Sequence, residues 1–248
     1  MHWKATKIWN GGDCYIIGGG ASIAEQFGAP SDLLPATREE FLEFGECLKP
    51  LHGQKVIGVN LAAFLGPWVN IGFFADSSSY TEFRGWWDEY PGMKISTAGK
   101  FANKDYSSIL HLYRNPKTTF SRDEDTIGWK CGNSGAAAVN LAWFLGAERV
   151  FLLGFDMQSS EKGYPWWHAG YPDKRQTPTV RQLKKNPNFV IPRMKQEPPY
   201  DKHLTNFEEL AQECEKEGLE VFNVNPKSKI EAFPKISTKS IFGMAEQE

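Results

Sequence analysis

Cys14-Tyr15-Ile16-Ile17-Gly18-Gly19-Gly20-Ala21-Ser22-Ile23-Ala24 passes from a short apolar run, through three glycines, into a helix-like segment. This reads as strand, tight turn, helix. Glycines let backbone N–H groups approach a phosphate closely, and the helix start adds a positive dipole. Ser22 can cap that helix or bind the phosphate. The stretch departs from GxGxxG, and no Lys-Ser/Thr follows as a Walker motif requires. A plain tight turn would also be written this way.

Outward from this turn, the same alternation repeats. Lys55 to Val59 reads as a second buried strand ending at Asn60, and Asn70 to Phe74 as a third ending at Ala75-Asp76-Ser77-Ser78. Between the first two strands, Thr37 and Glu40 have capping-box spacing, with Phe41, Phe44 and Leu48 following at helical intervals. Ser134 to Leu145, rich in Ala and Leu and stopped by Gly146, reads as a buried helix leading into the strand Val150 to Leu153. Asn206 to Glu217 carries Phe207, Leu210, Ala211 and Cys214 on one stripe, and Leu219 to Phe222 is a final strand. Residues 241–248 read as a loose tail. The pattern predicts an α/β chain with a Rossmann-like, mostly parallel sheet and helices on both faces. Residues 158–202, rich in Pro, Lys, Arg and aromatics and poor in periodicity, read as a lid or insertion within one domain spanning 1–248.

Composition narrows the classes. At 248 residues, with 41% hydrophobic and 23% charged residues, the chain has ordinary globular make-up and ample core. A net charge of −2 does not demand nucleic acid. Cys14, Cys47, Cys131 and Cys214 are widely spaced, which favours reduced thiols over a disulfide framework or a zinc site. Residues 1–12 lack the apolar stretch of a signal peptide and no run is long enough for a membrane span, so a cytoplasmic protein is expected. Nine Trp and seventeen Phe are the unusual feature. The pairs Trp86-Trp87 and Trp166-Trp167 are either core or the wall of a site.

In parallel sheets of this kind, ligands sit beyond the carboxyl ends of the strands. That rule singles out Gly18 to Ser22, Asn60, Asp76 to Ser78, Gly154 to Asp156 and Asn223 to Ser228. Gly132-Asn133-Ser134-Gly135 opens the Ala-rich helix, where its N–H groups suit a phosphate or a sugar hydroxyl, or simply cap the helix. Asp156 can bind hydroxyls or a metal, act as a base, or cap a turn, and Asn60 and Asp76 carry the same alternatives. His168 and His203 lie in or beside the lid, where a proton acceptor near neutral pH would be useful. No metal-binding His spacing is present.

The order of these segments resembles the bacterial sialyltransferases of the Campylobacter type. It is also similar to the archaeal 6-hydroxymethylpterin diphosphokinases and to phage proteins that share their domain. The first resemblance implies a glycosyltransferase that moves a sugar from a nucleotide-sugar, CMP- or another NDP-sugar, to a hydroxyl acceptor. It implies nucleotide contacts from Gly19, Gly20, Ser22, Asn60, Ser134 and Gly135, with Gly18, Asp76 and Asn133 beside them, and no metal. It implies His203 as the catalytic base, with His168 as its rival. Tyr164 falls near the second of two tyrosines that steady the leaving phosphate, while Met157 stands where the first would be, so the donor sugar stays open. The second resemblance implies ATP with magnesium, held by Asp76 and Asp156. A non-catalytic nucleotide-binding protein is the third reading. The partners implied are a nucleotide-sugar and a hydroxyl acceptor and no membrane; a nucleic-acid acceptor and a homo-oligomer stay open.

Overall fold

A computed structural model describes residues 3–30, 34–169 and 198–243. Most of the expected insertion, residues 170–197, lies outside them, as do residues 244–248. The elements run β1 (Asp13–Ile17), α1 (Ser22–Gln26), α2 (Arg38–Cys47), β2 (Lys55–Val59), β3 (Ile71–Phe74), α3 (Ser77–Glu82), α4 (Arg84–Glu89), β4 (Met93–Ser96), β5 (Ile109–His111), β6 (Tyr113–Asn115), β7 (Thr126–Gly128), α5 (Ser134–Phe144), β8 (Arg149–Leu153), α6 (Tyr200–His203), α7 (Phe207–Lys216), β9 (Glu220–Asn223) and α8 (Thr238–Phe242).

Among the described residues, seven strands form one sheet in the order β5-β4-β3-β2-β1-β8-β9, and every neighbouring pair is parallel. β6 and β7 pair separately, also in parallel. The central strand explains the two-sided core. Successive side chains of a strand point to opposite faces. Cys14 and Ile16 pack into one cluster with α5 and α7, and Tyr15 and Ile17 into the other with α1 and α2. Both faces are covered, so after Asp13, which pairs with Arg149 at the strand's start, the strand is apolar from Cys14 to Ile17, as a buried parallel strand must be. Fully burying each such side chain contributes about 1.5–3 kcal/mol.

The helices form for local reasons the sequence carries. Thr37 Oγ1 accepts the Glu40 N–H at 3.3 Å, and Glu40 Oε2 accepts the Thr37 N–H at 3.0 Å, closing the capping box of α2. α5 is apolar on nearly every side and correspondingly buried. Phe207, Leu210 and Cys214 form the buried stripe of α7, which stops before Gly218 at φ 68°.

Two expectations need correction. The segment from residue 241 is not a loose tail at its start, because Ile241 and Phe242 close α8 and Phe242 stacks on Tyr15 at 5.5 Å. β4, β5, β6 and β7, with α3 and α4, fill a stretch in which no elements were expected, since those strands are only three or four residues long and include Lys94, Arg114 and Asn115. The four cysteines are free thiols, and no helix among the described residues is long and apolar enough to cross a membrane.

Candidate functional site at the strand ends

The strand order reverses between β1 and β8, because the chain builds outward from β1 to β5 on one side and then adds β8 and β9 on the other. Such a reversal opens a crevice beyond the carboxyl ends of the two strands. Here the two strand extensions draw together. Gly18 N–H donates to Leu153 O at 2.7 Å and Gly20 N–H to Gly154 O at 2.8 Å. A Cβ on Gly20 would lie 2.6 Å from both the Asp156 carboxylate carbon and Gly154 O. Glycine is therefore demanded at 20 by the neighbouring segment of the same chain. Gly19 differs, because its neighbour is the Trp166 ring, 3.0 Å from where a Cβ would stand.

Asp156 fastens this crevice. Its Oδ2 accepts the Ser22 N–H at 2.8 Å, and its Oδ1 accepts the Ser22 hydroxyl at 2.5 Å and the Asn225 amide at 2.8 Å. The carboxylate thus caps the start of α1 from across the sheet. It is 5% exposed, and burial raises its pKa against the pull of those three hydrogen bonds. Ser228 continues the network, donating to Phe155 O at 2.7 Å and accepting from the Asn223 amide at 2.9 Å.

The beginning of the expected lid is anchored to the same turn. Trp167 Nε1 donates to Gly18 O at 3.0 Å, its backbone N–H to Gly19 O at 3.1 Å, and its ring is buried against Phe41 and Phe44. His168 stands edge-on to Trp167 and parallel to Trp166, and burial pushes its imidazole down to about 3, keeping it neutral at physiological pH. In both tryptophan pairs the second ring is core, while Trp86 and Trp166 are only partly buried. Tyr164 is partly buried in a turn closed by Ser160, whose N–H donates to Tyr164 O at 2.8 Å.

A second group gathers at the start of α5. Asn133 Oδ1 accepts the Ala136 N–H at 2.8 Å, and its Nδ2 donates to His203 O at 3.1 Å, so the cap of α5 also holds the end of α6. Gly135 abuts the Phe155 ring, which brings the first turn of α5 against the end of β8. The Ser134 hydroxyl and the His203 imidazole have no hydrogen-bond partner among the described residues, and both residues are partly buried. Burial lowers the His203 pKa, so the ring is neutral and able to accept a proton. At the end of β2, Asn60 holds φ 55°, a left-handed conformation that costs energy in a non-glycine residue and clusters at functional sites. Its side chain has no hydrogen-bond partner among the described residues.

The structure thus brings His203 to Asn133, and Asp156 to Gly20 and Ser22. Asp76 stands apart at the end of β3, 77% exposed and 3.6 Å from Arg114 Nη2. Asp76 and Asp156 end strands three positions apart, roughly 14 Å at the usual strand spacing, too far to share one metal ion. Among the described residues no three His, Cys, Asp or Glu side chains are grouped to hold a metal. The sequence placed Asn225 among the strand-end candidates but gave no sign that it partners Asp156, and Arg114 was missed; a lone Arg after Ile109-Leu110-His111-Leu112-Tyr113 was the signal available for the latter.

No protein-family model matches the chain, and neither does any curated protein. Solved structures do. The MAf glycosyltransferase of Magnetospirillum magneticum AMB-1 aligns over 97% of this chain with a TM-score of 0.54 and 14% identity. The chain spans only 35% of that protein's length. The sialyltransferase CstII of Campylobacter jejuni, in complex with cytidine-5'-monophosphate, aligns over 96% of this chain and 86% of its own, with a TM-score of 0.49 and 14% identity. The likeness to the first structure is one of fold.

Proposed function

We propose that the chain is a nucleotide-sugar-dependent glycosyltransferase that moves a sugar to a hydroxyl acceptor by direct displacement. The observation that carries this reading is the tether between Asn133 and His203. It fixes the backbone of His203, whose imidazole is partly buried and neutral, beside the start of α5, whose N–H groups suit a phosphate. The fold shared with a glycosyltransferase supports the reaction class.

In the proposed reaction, Gly18, Gly19 and Gly20 form the floor of the nucleotide site. Asn60, Ser134 and Gly135 contact the nucleotide, and Asn133 holds the helix start in position. Ser22 acts through Asp156, whose carboxylate occupies both its hydroxyl and its N–H. Asp156 is therefore a positioning residue here rather than a base. His203 takes the proton of the acceptor hydroxyl as that oxygen bonds to the sugar's anomeric carbon. The bond from that carbon to the phosphate oxygen breaks, and the electron pair leaves with the nucleotide. Tyr164 and the α5 N–H groups stabilise the charge on the leaving phosphate. His168, enclosed by aromatic rings, is the weaker candidate for the base. The diphosphokinase reading is disfavoured by the separation of Asp76 from Asp156.

A thermal-shift panel of CMP, CDP, UDP, GDP, ADP and ATP, each with and without magnesium, tests the reading. Stabilisation by a nucleoside mono- or diphosphate without metal is expected, since a ligand bound only by the folded state raises the melting temperature. Stabilisation by ATP alone, and only with magnesium, would favour the diphosphokinase. Silence across the panel would sink nucleotide transfer altogether.

A further inference from the structure

Arg114 is held in an unusual setting at the outer part of the strand-end rim. Its Nε donates to Thr97 Oγ1 at 3.0 Å, and its Nη2 donates to Ala75 O. These contacts span the carboxyl ends of β4 and β3. Its guanidinium lies over the Trp129 ring, 4.0 Å from the centroid, and Trp129 is itself tied by its backbone N–H to Asn115 O at 2.8 Å. The fork is thus fixed on three sides, yet the side chain remains 31% exposed. Nη1 has no hydrogen-bond partner among the described residues. The charge facing it is Asp76, an ion pair at 3.6 Å whose carboxylate is 77% exposed. Ion pairs this exposed are weak and readily exchanged.

We propose that Arg114, stacked on Trp129, is the anchor for an oxyanion, a carboxylate or a phosphate, carried by the acceptor substrate. A planar guanidinium with free N–H groups recognises such groups in a bidentate manner, and stacking on an aromatic ring pre-aligns it. The position sets Arg114 apart from the glycine turn. Arg114 bridges the ends of β3 and β4, two and three strands from the glycine turn on β1, or roughly 10–14 Å by strand spacing. A phosphate resting on the glycine turn cannot also reach it. Asp76 then acts as a displaceable stand-in that holds the fork until the ligand's oxyanion replaces it. Assignment to the acceptor rests on the glycosyltransferase reading; oxyanion binding at Arg114 does not.

The test is titration of the full chain with inorganic phosphate, followed through the side-chain nitrogen resonances of Arg114 by NMR. A saturable shift of the Arg114 Nε signal is expected. R114K, which keeps the charge and loses the fork, should weaken that phosphate binding at least tenfold, read by calorimetry. D76N, which removes the competing carboxylate, should tighten it several-fold. An Arg114 signal unmoved by phosphate, or R114K binding within twofold of the parent, would overturn the proposal. The wild-type titration decides the matter even where a variant folds poorly. The two readings fail separately: phosphate binding at Arg114 with a silent nucleotide panel removes the transferase and keeps the site. Nucleotide binding with an inert Arg114 removes the site and keeps the transferase.

Discussion

The crevice between β1 and β8 and the rim around α5 lie on the same edge of one sheet, but their polar groups are used differently. At the crevice, Asp156 accepts from both donors of Ser22 and from Asn225, and Trp167 is bonded to Gly18 and Gly19. Around α5 and at the end of β2, Ser134, His203 and Asn60 keep side chains without hydrogen-bond partners among the described residues. In the first region these polar groups are paired within the chain. The second holds partly buried or strained polar groups that the fold leaves open, which is where a ligand has most to offer. A glycine-rich turn after a strand therefore has two physical causes that look alike in sequence. A ligand can need the close approach, or another segment of the same chain can, as Asp156 does at Gly20.

The comparison breaks or sharpens under substitution. The largest effect is expected at His203, on the open side. His203→Gln should slow sugar transfer by about 10²–10⁴-fold while leaving the melting temperature nearly unchanged. Because burial lowers the His203 pKa, the base stays deprotonated through neutrality, and turnover should fall only as pH drops below the usual histidine range. Transfer kinetics against pH check this, and a full rate in the variant would remove His203 from the chemistry. Next is the closed side. Asp156→Ala leaves the Ser22 and Asn225 donors without their acceptor and should cost about 2–4 kcal/mol of stability. Thermal unfolding by circular dichroism measures it, and a loss below about 1 kcal/mol would mean that the clasp is not structural. The smallest effect is at Asn60, where stability and function should move apart. Asn60→Gly relieves a left-handed backbone and should leave stability unchanged or raised by up to about 1 kcal/mol, while nucleotide affinity falls. Paired unfolding and calorimetry test this; a destabilised variant would mean that the Asn60 side chain serves the fold.

Much of the fold was legible because buried parallel strands are written as continuous apolar runs. Tyr15-Ile16-Ile17 and Val150-Phe151-Leu152-Leu153 contain no polar residue, and the turns after them carry glycine. β4 to β7 were not legible. They are short, include Lys94, Arg114 and Asn115, and owe their pairing to neighbouring strands rather than to their own pattern. The same limit applied to the aromatic pairs. Nothing local distinguishes Trp166 from Trp167, yet only the second reaches Phe41 and Phe44.

By itself the sequence determined the α/β class, the mostly parallel sense of the sheet, the capping of α2 and the candidate residues at the strand ends, because each follows from short-range periodicity or from a single residue's backbone preference. The tertiary structure alone decided which candidates meet. Asn133 and His203 are 70 residues apart, and Ser22 and Asp156 are 134. Contacts across such separations follow from how the sheet is wound, and no local pattern records them. That is why Asp156, a candidate base by its position after a strand, is held by three hydrogen bonds instead, and why Arg114 emerged only once the ends of β3 and β4 stood side by side.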